Sequence, residues 1–184
     1  MSMRIISGTA AGRRLRAPKS QLVRPTLDKV KHAIFNSLGE RGEQGKVLEL
    51  FAGTGALGIE ALSRGAEWCD FVDVLPASCR AIRENLRAAA LKERARVIQG
   101  RVPGALSRFK EPYDLILADP PYHTVAHEDW LPSLAESDAI KDQTILVVGH
   151  WKKNLPAERW GRLRLLRRRQ HGDSMFSVYT VEDM

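Results

Sequence analysis

Apolar and polar positions alternate along this chain in two distinct rhythms. From Thr26, apolar residues recur at Leu27, Val30, Ala33, Ile34 and Leu38, which predicts an amphipathic helix closed by Gly39, Gly42 and Gly45. Short apolar runs then predict strands at 46–51, 68–74, 95–99, 113–118 and 143–149. Helices are expected between them at 56–64, 77–90, 102–109 and near 129–136. Leu163–Arg169 and Ser174–Val181 flank His171-Gly172-Asp173 and read as a final hairpin. Seven strands interleaved with helices predict an α/β fold of the Rossmann-like type. The sheet should be mostly parallel, covered on both faces, and end in an antiparallel hairpin. Ahead of it, Arg4–Ser7 and Arg13–Leu15 flank a Gly/Ala turn and predict a small basic β-hairpin, with Pro18–Pro25 as linker. The expected division is 1–25 for hairpin and linker and 26–184 for the main domain.

Composition adds few constraints. A chain of 184 residues with 43% hydrophobic and 28% charged positions fits one soluble globular domain. Runs such as Ile145–Val148 are too short for a membrane span, and Met1-Ser2-Met3-Arg4 opens without an apolar signal segment. No membrane association is expected. Cys69 and Cys79 lack zinc-type spacing and read as free thiols of a cytoplasmic protein.

Charge changes the picture more. Residues 1–32 carry Arg4, Arg13, Arg14, Arg16, Lys19, Arg24, Lys29 and Lys31 against the single acid Asp28. That +7 equals the net charge of the whole chain, so the rest sums to zero. A neutral body with a basic head suits a binder of phosphate backbones, and Arg4, Arg13, Arg14, Arg16, Lys19 and Arg24 are the candidate contacts. A second cluster, Arg159, Arg162, Arg164, Arg167, Arg168 and Arg169, has no acid within it. The alternative for both is a solvated surface.

Two strand ends carry the candidate chemistry. The first strand runs into Gly53-Thr54-Gly55-Ala56-Leu57-Gly58. A glycine loop leading into a helix lets a ligand approach the backbone and offers amides to an anion. Ligands in such sheets bind beyond the carboxyl ends of the strands. Glu49 can meet a cation or hydroxyl before the turn, and Asp73, 18 residues after Gly55, can accept both hydroxyls of a ribose. This half also satisfies the dinucleotide pattern. The acid four residues before the first glycine favours S-adenosylmethionine, since a methionine ammonium needs a partner. So does the lack of chain for a separate substrate domain.

The second strand ends in Asp119-Pro120-Pro121-Tyr122, the candidate catalytic residues. A base amino group is a poor nucleophile because its lone pair is delocalised. The Asp119 carboxylate and the Pro120 carbonyl can each accept an N–H and let the nitrogen pyramidalise. The prolines fix the backbone and remove competing donors, and Tyr122 offers a face to a flipped base. These residues point to methylation of an exocyclic amine of a nucleobase.

Several segments in order resemble the RsmD family of bacterial small-subunit rRNA guanine-N2 methyltransferases. They are Met3–Gly8, Arg24-Pro25-Thr26, Ala33–Asn36, Leu50–Gly58, Glu60–Ala66 and Asp119–Tyr122. The resemblance implies a class I methyltransferase fold, S-adenosylmethionine as donor, and one guanine of 16S rRNA, free or in the assembling subunit, as target. It also implies that the basic hairpin helps hold RNA. The candidate cofactor contacts are Glu49, Phe51, Gly53, Gly55, Asp73, Val74 and Arg101. Three positions depart from the family pattern: Glu49 replaces the usual Asp, Gln99-Gly100-Arg101 lacks the usual acid, and Gly149-His150 replaces a Glu-His pair.

A DNA adenine-N6 methyltransferase is the runner-up, since it can use the same Asp-Pro-Pro-Tyr, but it usually needs a larger target-recognition region. A protein glutamine methyltransferase would not need the basic head. An NAD oxidoreductase fits only the glycine loop, and a non-catalytic RNA-binding module leaves Asp119 without a role. His123 and His127 are spaced i, i+4 with no third ligand in view, so no metal is expected and they read as part of a loop over the site. Asn85 reads as structural. A monomer is expected.

Overall fold

The computed structural model describes residues 3–18 and 28–182. Lys19, Arg24, nearly all of the expected linker and the first two positions of the expected leading helix lie outside them. The elements run β1 (Met3–Arg4), β2 (Arg14–Leu15), α1 (Asp28–Leu38), β3 (Lys46–Leu50), α2 (Ala56–Arg64), β4 (Trp68–Asp73), α3 (Pro76–Ala88) and β5 (Ala95–Gln99). They continue with β6 (Leu115–Ala118), α4 (Leu131–Ala135), β7 (Ile145–Trp151), β8 (Arg159–Trp160), β9 (Leu163–His171) and β10 (Ser174–Val181).

β1 and β2 form a separate antiparallel pair. The other strands make one sheet in the order β5-β4-β3-β6-β7-β10-β9-β8, parallel from β5 to β7 and antiparallel beyond. The sheet therefore has eight strands, not the seven expected. The extra one, β8, is two residues long and too short to leave a periodic signal. The helix expected at 102–109 is only a 3₁₀ turn over Gly104–Arg108, since Pro103 and Gly104 favour a turn over helix propagation.

Alternation along the central strands supplies both layers. Val47, Leu115, Leu117, Ile145, Val147, Phe176 and Val178 pack with α1, α2 and α3 on one face. Leu48, Leu50, Ile116, Leu146, Val148 and Tyr179 pack on the other with Phe109, Tyr113, Trp130 and α4. Burial of both faces is the normal state of a parallel sheet, and explains why these strands read as continuous apolar runs.

All of α2 except Arg64 is buried, because the N-terminal hairpin covers its outer side. Met3, Ile5, Ala10 and Leu15 join the same core as α1 and α2, while Arg4, Arg13, Arg14 and Arg16 face outward. Glu60 fastens this contact from α2. Its fully buried carboxylate accepts the amides of Ile6 and Ser7 at 2.8 and 3.0 Å and pairs with Lys31 at 3.4 Å and Arg64 at 2.9 Å. Ser63 adds hydrogen bonds to the Ser7 carbonyl and from the Ala10 amide. Lys31, counted with the basic head from the sequence, is thus buried and neutralised rather than offered to a ligand. Removing one member of such a buried pair costs about 3–5 kcal/mol.

Candidate active site

The strand order reverses at β3: β4 and β5 extend to one side, β6 and β7 to the other. A crevice opens at such a switch point beyond the carboxyl ends of the strands. Both candidate segments border it. β3 and β6 are direct neighbours, with Leu50 opposite Ala118, so the glycine loop and Asp119 leave adjacent strands at the same edge.

The glycine loop is held from below and from the side. Phe51, Gly53 and Gly55 all take left-handed backbone angles (φ 55°, 56° and 75°). Glu49, 4% exposed, points beneath the loop and accepts the amides of Leu57 and Gly58 at 3.3 and 2.8 Å. It thereby caps α2, whose own N-cap is Gly55 and supplies no side chain. Burial raises the Glu49 carboxyl to about 8, against the two amides that lower it, and the charges of Asp119 and Asp73 raise it further. Glu49 is thus held largely as the neutral acid beneath the loop, and Asp73 and Asp119 are the two carboxylates that border the crevice, a setting suited to a cationic ligand.

Asp73 accepts the Gly53 amide with Oδ2 and the Leu75 amide with Oδ1, both at 2.8 Å. It binds the glycine loop to the turn before α3. Each oxygen retains a second lone pair, so this arrangement is compatible with accepting hydroxyls from a ribose. Beside it Val74 is 46% exposed, one of three exposed large apolar residues among those described, and offers apolar surface for an adenine ring. Arg101 is exposed beyond the end of β5. Phe51 is half-buried and meets Trp130 edge-on with ring centroids 5.3 Å apart. These groups fit the donor expected from the sequence at two points, a carboxylate for a diol in Asp73 and an apolar surface for a base at Val74, whereas Glu49 is engaged by the loop amides.

On the other side, Pro120 is buried, Asp119 and Tyr122 are half-buried, and Pro121 is exposed. The Tyr122 hydroxyl donates to Asp119 Oδ1 at 2.8 Å. Tyr122 is therefore a positioning group for the carboxylate as well as an aromatic face, a role its position in the sequence did not reveal. Gly149 on β7 makes room for this arrangement. A Cβ there would lie 2.3 Å from Asp119 Oδ1 and 3.4 Å from the Tyr122 hydroxyl.

The histidines of this region make contacts with one another and with the neighbouring loop and strands. His127 is buried, lies edge-on to His150 with centroids 6.0 Å apart, and holds the Asn154 carbonyl at 3.2 Å. Burial lowers His150 to about 4, and its neutral ring bonds Ser177 at 2.8 Å. His123 is exposed beside Trp151. Among the described residues no three His, Cys, Asp or Glu side chains gather as a metal site.

The basic head reaches the glycine loop through a residue the sequence left without a ligand role. Asn85 of α3, 1% exposed, accepts the Arg16 amide at 2.8 Å and donates to the Arg16 and Thr54 carbonyls at 3.0 Å each. Met3 Sδ meets the Thr54 hydroxyl at 3.8 Å. Arg13 bonds the Ala88 carbonyl at the end of α3, and Arg4 lies 3.7 Å from Asp28. The hairpin is docked against the loop, not tethered beside it.

A family model described as Conserved hypothetical protein 95 matches residues 3–180. The chain is 35% identical over 180 residues to YlbH of Bacillus subtilis (strain 168), covering 96% of this chain and 98% of that one. It is 33% identical over 147 residues to the Ribosomal RNA small subunit methyltransferase D of Escherichia coli (strain K12), covering 79% and 73%. The solved structure of yhhF from Escherichia coli superposes with a TM-score of 0.83 at 28% identity over the whole of both chains. The fold is that of a class I S-adenosylmethionine-dependent methyltransferase.

Proposed function

The chain belongs to the family described as Conserved hypothetical protein 95, the RsmD family, and from that premise we propose that it methylates the exocyclic N2 amine of a guanine in 16S rRNA. Its relatives support a methyltransferase that acts on small-subunit rRNA. One observation carries the reading furthest: Asp119 and the glycine loop leave neighbouring strands at the switch point. A donor held by the loop and an amine held by Asp119 would then share one crevice.

S-adenosylmethionine, when bound, supplies an electrophilic methyl group. Asp73 would hold its ribose, the loop amides and Phe51 would line its path, Val74 and Arg101 would border its base, and Glu49, bonded to the Leu57 and Gly58 amides, would keep the loop in place from below. Asp119 would accept one N–H of the guanine amine and the Pro120 carbonyl the other. Both would turn the nitrogen lone pair toward the donor. The Tyr122 hydroxyl donates to Asp119 Oδ1 and so holds the carboxylate in position to accept from the amine. Arg4, Arg13, Arg14 and Arg16 present four positive charges on the outer side of the hairpin, where an RNA backbone would lie; Lys19 and Arg24 continue that segment in sequence. No helix among the described residues is long and apolar enough to cross a membrane. The work of such an enzyme belongs in the cytoplasm.

The test is Asp119→Ala with in vitro transcribed 16S rRNA and small subunits as substrates. Methyl transfer should fall by orders of magnitude while affinity for S-adenosylhomocysteine stays within about twofold, as for a group needed in the transition state. Retained transfer, or loss of cofactor affinity in its place, would refute the assignment.

A further inference from the structure

Six arginines of the C-terminal block look alike in sequence, but the fold separates them. Arg159 and Arg164 both pair with Glu182, Arg162 with Asp142, and Arg168 with Glu158. Arg167 and Arg169 have no carboxylate within ion-pair distance among the described residues.

Register places these two on the edge and face of the candidate site. Arg169 lies opposite Phe176, and Phe176 opposite Gly149, which itself abuts Asp119. The four form one row across the sheet. At about 4.8 Å per strand, Arg169 stands roughly 14 Å from Asp119. Arg167, opposite Val178, projects to the same face two residues earlier.

A groove of about 400 Å³ opens there between α1 and the end of β9. Asn36 and Ser37 form one wall, Arg167, Arg169 and His171 the other, and Phe176 the floor; no acidic residue lines it. Ser37 fixes Arg167, accepting from Nε at 2.9 Å with its hydroxyl and from Nη2 with its carbonyl. The exposed His171 ring lies parallel to Phe176, 3° between planes. Capping the carboxyl end of α1 explains Arg167. It leaves Arg169 and His171, a charge and a donor on the rim of an acid-free groove, unexplained.

We propose that this groove is a phosphate subsite for the RNA strand next to the target nucleotide, with Arg169 and His171 as ligands and Arg167 as a fixed cationic wall. The proposal rests on the rRNA reading above. A flipped guanine costs a few kcal/mol to unstack, and contacts to the flanking backbone are the general way to offset this. The hairpin would hold the strand on the cofactor side of Asp119 and the groove on the other. Guanidinium and imidazole N–H donors suit phosphate oxygens, and a neighbouring carboxylate would repel those oxygens.

The test compares Arg169→Gln with Arg164→Gln, two equal changes of charge on one strand. Binding of labelled in vitro transcribed 16S rRNA is measured across a salt series, with S-adenosylhomocysteine affinity as a check on folding. Arg169→Gln should weaken RNA binding about tenfold and reduce the log–log salt slope by about 0.7. Arg164→Gln, whose native guanidinium is engaged by Glu182, should change RNA affinity less than twofold. Cofactor affinity should hold in both. Combining Arg169→Gln with His171→Gln should deepen the loss. Equal losses at positions 164 and 169 would indicate bulk charge and overturn the subsite, as would no loss at either. If the unmodified protein prefers duplex DNA to 16S rRNA, the rRNA reading itself fails and the subsite falls with it.

Discussion

Asp73→Ala removes two anchors of the glycine loop at once. Each carboxylate oxygen holds a backbone amide at 2.8 Å, one from Gly53 and one from Leu75, in a side chain only 8% exposed. A hydrogen bond to a charged group is worth about 1.5–3 kcal/mol. The freed amides lie near the mouth of the crevice and regain some water, so the expected loss of stability is about 2–4 kcal/mol rather than the full sum. For a chain of this length that lowers Tm by roughly 4–16 °C. Asp73→Asn keeps one acceptor oxygen and turns a donor toward the other amide, so it should fall between alanine and the native residue. Urea unfolding followed by tryptophan fluorescence gives the stability, and calorimetric titration with S-adenosylhomocysteine the affinity. The alanine variant should also bind that ligand about 10- to 100-fold more weakly, having lost both the diol acceptor and the shape of the loop. From the sequence alone, only the second loss is expected, with folding nearly unchanged. An alanine variant within about 0.5 kcal/mol of native, the low end of what one hydrogen bond contributes, would refute the anchoring role. Lost stability with unchanged affinity would move the ribose elsewhere.

Gly149→Ala places a Cβ 2.3 Å from Asp119 Oδ1, so the carboxylate must retreat by about 1 Å. Misplacement on that scale should lower kcat about 100-fold with cofactor affinity within twofold, and a native rate would show that Asp119 acts from another position. Burial raises Glu49 to about 8, above its unfolded value, so its contribution to stability is full below pH ~4.5 and lost as pH rises through 8. Urea midpoints at pH 5.5 and 8.5 should therefore differ less in Glu49→Gln than in the native protein, and an equal difference would remove Glu49 as the titrating group. Asn85→Ala leaves the Thr54 carbonyl and the Arg16 backbone without their side-chain partner. It should cost about 1–3 kcal/mol of stability and weaken binding of both S-adenosylhomocysteine and RNA in titrations, whereas full affinity for both would reduce the residue to packing.

The strands were legible because both faces of a parallel sheet are buried, which writes runs such as Leu115-Ile116-Leu117 into the sequence. The glycine loop and Asp119–Tyr122 were legible because each needs particular residue types in contiguous order. What depended on distant partners was not. The arginine block contains no acid within it, yet Asp142, Glu158 and Glu182 lie outside it and pair with four of its members. Lys31 and Glu60 look like ordinary surface charges of amphipathic helices until the hairpin buries both. Glu49 and Asp73 read as ligands for a cofactor, but each also holds backbone amides of the loop, a task set by the turn geometry. Gly149 stands out in the sequence only as a departure from the family. Its nearness to Asp119 follows from the pairing of β6 with β7, which no local pattern records. Asn85 gave no signal because its three bonds go to backbone atoms far along the chain.

The most direct measurement is the chemical identity of the product. In vitro transcribed 16S rRNA, small ribosomal subunits and duplex DNA are incubated separately with the protein and methyl-labelled S-adenosylmethionine, digested to nucleosides and resolved by chromatography with mass detection. The label should appear in rRNA as N2-methylguanosine and be absent from DNA. Label in N6-methyladenine of the DNA, or in any rRNA nucleoside other than N2-methylguanosine, would contradict the account.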